Sequence, residues 1–221
     1  MSSEISYSLS ALYRENVTLF ELVNALRGVR YNLDEYQLCI DGFPRSANSY
    51  AVNLVQKMEP TLNIIHHVHA PAIIKKTAGK IPTIILIREP QEAILSEYIR
   101  DQHSNKAPKI TQLIKRYIQY YKITQEYLDK ITLFTFKQVT ETPEQYLKTV
   151  STILDKEPMD YSGIITDTMN ESKARVTENI IYTTSVPTTE RTEYKEKIGP
   201  QILQDYDFSE AEKIFNQLVY A

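Results

Sequence analysis

Residues 36–60 read YQLCIDGFPRSANSYAVNLVQKMEP, and their order decides the fold. The apolar run from Tyr36 to Asp41 has the length and composition of a short strand. Gly42, Pro44 and Ser46 then interrupt it. From Asn48 onward Ala51, Val52, Leu54, Val55 and Met58 recur at helical spacing, and Pro60 stops the run. Strand, tight loop and helix in that order bring loop amides and a helix start to the end of a strand. An anion can bind there.

The loop, DGFPRSANSY (residues 41–50), half matches the nucleotide-phosphate pattern G-x-x-x-x-G-K-[ST]. Gly42 and Ser49 fall in register, but Ala47 replaces the second glycine and Asn48 replaces the lysine. Asn48 carries no charge and cannot do that lysine's work on the β- and γ-phosphates. Arg45 supplies a positive charge at the loop's tip, and Ser46, Asn48 and Ser49 add short polar donors. The loop suits a phosphate-like group but is wrong for cleaving a triphosphate. Turns of this composition also join strands to helices without any ligand, so the loop alone leaves both readings open.

The same alternation continues along the chain. Residues 18–33, TLFELVNALRGVRYNL, predict a leading helix that ends near Gly28. NIIHHVH, Asn63 to His69, predicts a second strand, and residues 70–79 a short helix or turn. PTIILIRE, Pro82 to Glu89, is the best strand: β-branched and nearly continuous, as in a sheet covered on both faces. Pro90 opens a helix with Glu92 in its first turn. Residues 110–130 predict a long, tyrosine-rich helix, Ile131 to Phe136 a fourth strand, and Pro143 the start of a helix ending near Asp155. The stretch from Ser162 to Thr189 has weak periodicity and much threonine, and predicts an irregular segment. Residues 193–203 and 209–219 read as closing helices. Alternating strands and helices predict an α/β fold, three-layer α/β/α around a central, mainly parallel sheet. With no repeat, low-complexity tract or linker, residues 1–221 read as one domain.

Composition narrows the functional classes. The 221 residues are 24% charged and 42% apolar, which suits a globular chain and not a disordered one. A formal net charge of −3 argues against global attraction to nucleic acid or anionic membrane, while allowing a local basic pocket. Cys39 is the one cysteine, so no intrachain disulfide can form; it reads as a buried thiol in a reducing compartment. The N-terminus lacks the basic start and apolar stretch of a signal peptide, and no run is long enough to span a bilayer. These features predict a soluble, cytoplasmic protein. They leave a homodimer open.

A second signal lies in LIREPQEAILSEYIR. Arg88 ends the strongest strand and Ser96 follows eight residues later, two turns into the helix. Ligands of open α/β sheets bind at the carboxyl ends of the strands. Arg88 and Ser96 can therefore meet one phosphate there. The alternative has Arg88 paired with an acidic neighbour and Ser96 on a helix surface.

Together, GFPRSANSY after one strand and IREPQEAILSEY after a later one resemble the sulfotransferase family, which uses 3′-phosphoadenosine 5′-phosphosulfate (PAPS) and releases 3′,5′-bisphosphoadenosine (PAP). The family's first motif, roughly [YF]-P-[KR]-[ST]-G-[TN]-[TS]-[WY], is matched by Phe43, Pro44, Arg45, Ser46, Asn48, Ser49 and Tyr50. Ala47 departs from its glycine. Arg88, Pro90 and Ser96 match the second motif, spacing included, and by resemblance would hold the 3′-phosphate. HVHAP places His69 on the family's catalytic histidine; His67 and a carboxylate remain alternatives, since some branches use glutamate. Phe136 takes the place of an aromatic that stacks on adenine, though core packing suits it too. No glycine-rich basic element closes the chain, so Arg191, with Arg175 behind it, is the candidate C-terminal contact. The resemblance spans about Leu38 to Tyr146 and implies a P-loop nucleotide-hydrolase-like fold.

By this resemblance the loop around Pro44, Ser46, Ala47, Asn48, Ser49 and Tyr50 would cradle the 5′-phosphosulfate. Arg45 would stabilise the charge that develops, and His69 would take a proton from an acceptor hydroxyl or amine. No metal is implied: HHVH is too close along a strand for a zinc site without distant partners. The acceptor, a small molecule or glycan, is not legible. Residues 101–109 and 163–189 border its pocket by position only. A nucleotide or small-molecule kinase and a non-catalytic bisphosphoadenosine binder stay as alternatives.

Overall fold

A computed structural model describes residues 12–101, 108–174 and 189–220. Its centre is a parallel sheet of β1 (Leu38–Gly42), β2 (Ile64–His66), β3 (Thr83–Ile87) and β4 (Thr132–Thr135), in the order β2-β1-β3-β4. The register sets Gly42 opposite Leu86 and Ile87 opposite Thr135. Every residue of β1 and β3 is buried, which accounts for their unbroken apolar runs.

Side chains alternate between the two faces. Cys39, Ile85 and Ile87 enter one core with Phe20, Ile73, Ile94, Tyr117 and Phe215. Those residues come from α1 (Val17–Leu26), α3 (Pro71–Thr77), α4 (Pro90–Asp101), α5 (Ile110–Gln125) and α10 (Ser209–Val219). Leu38, Ile40, Ile84 and Leu86 enter the other core with Val52, Val139, Tyr146 and Tyr161. The helices on that side include α2 (Asn48–Met58), α6 (Phe136–Glu141), α7 (Pro143–Ile153) and α8 (Ser162–Ala174). A further helix, α9 (Thr189–Asp205), packs on α4, with Leu95 near Gly199. The expected three-layer α/β/α arrangement is present.

Two local expectations need correction. The threonine-rich stretch after Ser162 is helical as far as Ala174, not irregular. The hydroxyls of Thr166 and Thr168 donate to the carbonyls of Ser162 and Ile164 one turn back, each at 2.8 Å, so they bond inside the helix. Lys57 on α2 reaches Glu171 at 2.6 Å and ties α8 down. The second strand stops at His66 instead of running to His69. His67 and His69 have φ of 55° and 52°, so they form a turn and do not share a strand face.

The switch in chain direction falls between β1 and β3, because β1 connects outward to β2 and β3 outward to β4. Their carboxyl ends frame the crevice where such sheets take ligands. The two strands also approach very closely there. A Cβ on Gly42 would stand 2.4 Å from the Leu86 carbonyl oxygen and 3.1 Å from Asn48 Oδ1. Gly42→Ala is expected to lower stability by about 2–3 kcal/mol, as overpacking against fixed backbone does. A denaturant titration reads the loss, with Gly163→Ala as control, since nothing lies within 4 Å of a Cβ there.

Candidate functional site

The loop after β1 folds back on itself before α2 begins. The Asn48 side chain, almost fully buried, donates from Nδ2 to the Phe43 carbonyl at 3.1 Å and closes the loop. The Phe43 amide donates to the Tyr121 hydroxyl at 3.3 Å, which itself donates to the Leu86 carbonyl at 2.7 Å. Ser46, fully buried, lies 3.5 Å from the same hydroxyl. One phenol thus rivets the loop to the ends of β1 and β3. Asn48 is a loop clamp in this arrangement, and its Oδ1 has no hydrogen-bond partner among the described residues.

Ala47 occupies the N-cap position of α2 with φ 69° and ψ 19°, and makes no side-chain cap. The left-handed region costs a non-glycine residue roughly 1–2 kcal/mol. Arg45, at φ 72°, is in the same region. Two strained residues therefore turn the chain so that an uncapped helix start ends the loop, and its dipole favours an anion.

Arg45 and Ser96 meet directly: Nε donates to Ser96 Oγ at 3.0 Å. Arg88 donates from Nη1 to the Arg45 carbonyl at 3.1 Å and from Nη2 to Glu92 Oε2 at 3.0 Å. Its Cζ lies 4.2 Å from the centre of the Phe136 ring, a cation–π contact. Phe136 thus packs beneath an arginine at the end of β4. Burial pushes the Arg88 pKa down, and Glu92 and Glu89 oppose the shift. The two sequence signals, 43 positions apart at Arg45 and Arg88, form one cluster.

Glu92 has a second partner that the sequence reading did not single out. Lys195 on α9 pairs with Glu92 Oε2. A basic residue from the C-terminal region therefore stands beside the Arg88 pair. It lies one helical turn after Arg191, whose side chain, like all of Arg175, falls outside the described residues. The signal was present in TEYKEK, but nothing in its spacing separates Lys195 from the other charges there.

On the far side of the loop, β2 ends on His66, and His67 and His69 follow it. His67 Nε2 is 2.8 Å from Ser49 Oγ, and its Nδ1 is 2.6 Å from His66 Nδ1, so both ring nitrogens are engaged. His69 Nδ1 is 2.7 Å from the Gly42 carbonyl oxygen. A carbonyl can only accept, so Nδ1 carries the proton and Nε2 is the basic nitrogen. Burial, reinforced by Arg116, Arg100 and Arg14 against the Gly42 bond, pulls the His69 pKa down to about 4. The His69 imidazole is therefore a weak base, uncharged at pH 7.

Asp41 went unrecognised, and it holds this turn. Its fully buried carboxylate accepts from the amides of Val68 at 3.2 Å and His69 at 2.9 Å, and from the Tyr120 hydroxyl at 3.0 Å. Burial raises its pKa to about 6 from 3.8, against those bonds. The folded form holds this proton more tightly than the unfolded chain, so its stabilising effect is lost as pH rises towards 6. His69 acts in the opposite sense: it favours the fold above 6.5, and that contribution is lost as pH falls towards 4.

Tyr117, Tyr120 and Tyr121 all lie on α5, and Tyr117 donates to the Arg88 carbonyl at 2.6 Å. Three hydroxyls of one helix thus brace the ends of β1 and β3; these tyrosines are scaffold and not an acceptor surface. Tyr50 is half-buried against the second core. Among the described residues no three His, Cys, Asp or Glu side chains form a metal-binding group, and no helix is long and apolar enough to cross a membrane.

No family model and no curated protein matches the chain. Among solved structures it is similar to the crystal structure of mouse sulfotransferase SULT7A1 complexed with PAP. The TM-score is 0.55 at 11% identity, over 89% of this chain and 93% of that one. The likeness is one of fold, and the fold is sulfotransferase-like.

Proposed function

We propose that this chain is a PAPS-dependent sulfotransferase acting on a hydroxyl or amine of a small molecule or glycan. The observation that carries the proposal is the 3.0 Å bond from Arg45 to Ser96, with Arg88 on the Arg45 carbonyl. Together these bonds tie the loop after β1 to α4 and to the loop after β3 at the sheet's switch point, where a ligand with phosphates at both ends would lie. The donor set fits such an anion: Arg45, Arg88 and Lys195, with the uncapped start of α2. Glu92 is the present counter-ion of Arg88 and Lys195, and a 3′-phosphate would take its place between them.

In the reaction, the acceptor oxygen or nitrogen forms a bond to sulfur while the bond from sulfur to the bridging phosphate oxygen breaks. The acceptor proton passes to His69 Nε2, and PAP leaves with the electron pair. A base with pKa about 4 takes the proton late, once the new bond has acidified the acceptor. Arg45 meets the charge that grows on the departing phosphate.

Calorimetric titration with PAP, ATP and AMP tests the donor site. PAP should bind far more tightly than AMP, without magnesium. The double variant Arg88→Ala/Ser96→Ala should lose PAP affinity by roughly 10²-fold or more, the scale of two charge-assisted contacts, while AMP affinity changes little. Equal losses for PAP and AMP remove the 3′-phosphate assignment, and magnesium-dependent ATP binding favours a kinase.

A further inference from the structure

Asp41 takes no step in that reaction, yet its carboxylate is fully buried under the turn that carries His69. We infer that Asp41, braced by Tyr120, is a positioning residue: it holds residues 67–69 so that the His69 ring stays on the Gly42 carbonyl with Nε2 available to the acceptor. The inference rests on the reading of His69 as the base.

The geometry separates this role from that of a carboxylate paired with an imidazole. Asp41 Oδ1 is 3.5 Å from His69 Nδ1, whereas the Gly42 oxygen is 2.7 Å away. The ring is therefore bonded to Gly42, and Asp41 acts through the backbone. Its oxygens take the amides of Val68 and His69 together. Two non-glycine residues with positive φ, His67 and His69, need such an external restraint to persist. Consecutive residues at the end of β1 thus fix one histidine twice, Asp41 by its backbone and Gly42 by its ring. Tyr120 donates to the same carboxylate from α5 and fixes its orientation.

The groups facing Asp41 are His66 from β2, His67 and His69 from the turn, Tyr120 and Tyr121 from α5, Cys39 from β1, and Tyr31 ahead of β1. Burial raises the phenols and the thiol and lowers the imidazoles, with His67 and His69 at about 4. Asp41, at about 6, therefore changes charge before His67 and His69 as pH falls. Its protonation weakens the charge-assisted amide bonds and loosens their hold on the turn, while the fold as a whole accommodates the neutral group. Transfer should decline through this range, above the pH at which His69 itself is protonated.

The test uses the full chain saturated with PAP, followed by NMR of the Val68 and His69 amides across pH. It is paired with single-turnover conversion of bound PAPS using water as the probe acceptor. In the wild type both amides should shift with a midpoint near 6. Tyr120→Phe removes a bond that favours the carboxylate, so the midpoint of the amides and of the rate should move to higher pH. Asp41→Asn should remove this inflection and slow conversion by about 10- to 100-fold, the scale of a displaced catalytic group. PAP affinity should stay within about twofold. Amides insensitive to pH in the wild type, an unmoved midpoint in Tyr120→Phe, or an Asp41→Asn protein with the wild-type rate and profile each overturn the inference. A wild type that fails to bind PAP overturns the sulfuryl-transfer reading instead, and the amide titration of the ligand-free chain still decides whether Asp41 holds the turn.

Discussion

His69→Ala is expected to slow transfer by roughly 10²–10⁴-fold, the range for loss of a positioned general base. PAP affinity should not change, because the proposed phosphate contacts come from the loop, α4 and α9. The substitution removes the ring but keeps the His69 amide that Asp41 holds, so the turn survives. His67→Ala is the informative companion. Both His67 nitrogens are already bonded, to Ser49 and His66, and its loss should cost far less. Comparing kcat with the dissociation constant for PAP in both variants checks the assignment. Full activity in His69→Ala would move the base to His67 or a carboxylate.

Arg45→Ala should reduce turnover by about 10²–10³-fold, as loss of one group stabilising transition-state charge does. The effect should fall on kcat more than on PAP binding, since Arg88 and Lys195 remain. Arg45→Lys keeps the charge but not the planar fork, and lysine has no Nε to make the bond to Ser96 in that geometry. It should recover only part of the rate. A normal rate in Arg45→Ala removes the proposed role. Measuring Ser96→Ala beside it separates the charge of Arg45 from its tether.

Local patterns carried most of the fold. The strands β1 and β3 stand out because burial on both faces demands unbroken apolar runs, and α2 and α4 because their apolar spacing is helical. Where the reading failed, a contact across the chain decided the outcome. Apolar alternation continues past His66, but amide bonds to Asp41, 28 positions earlier for His69, bend the chain into a turn. Threonine weakens the helical pattern after Ser162, while its hydroxyls satisfy themselves within α8.

The candidate site divides in the same way. Arg45, Arg88, Ser96 and His69 were singled out through two short motifs and a family resemblance, and the structure brings Arg45, Arg88 and Ser96 into contact. Asp41 looked like the polar end of a strand, since its partner Tyr120 is 79 positions away. Tyr121, which locks the loop, is 78 positions from Phe43 and sits in a tyrosine-rich helix where no letter marks it. Lys195 was one charge among several, and only the packing of α9 on α4 selects it.

Ala47 has a consequence for how such loops evolve. What the turn into α2 requires is a left-handed backbone, and glycine is one way to meet that demand. Alanine can meet it where the surrounding contacts outweigh the strain, as the bonds of Asn48 and Tyr121 do here. A single base change converts an alanine codon to a glycine codon, so a lineage can pass between the two without rebuilding the loop. What the fold fixes at this position is a dihedral angle, which alanine adopts at a cost of roughly 1–2 kcal/mol.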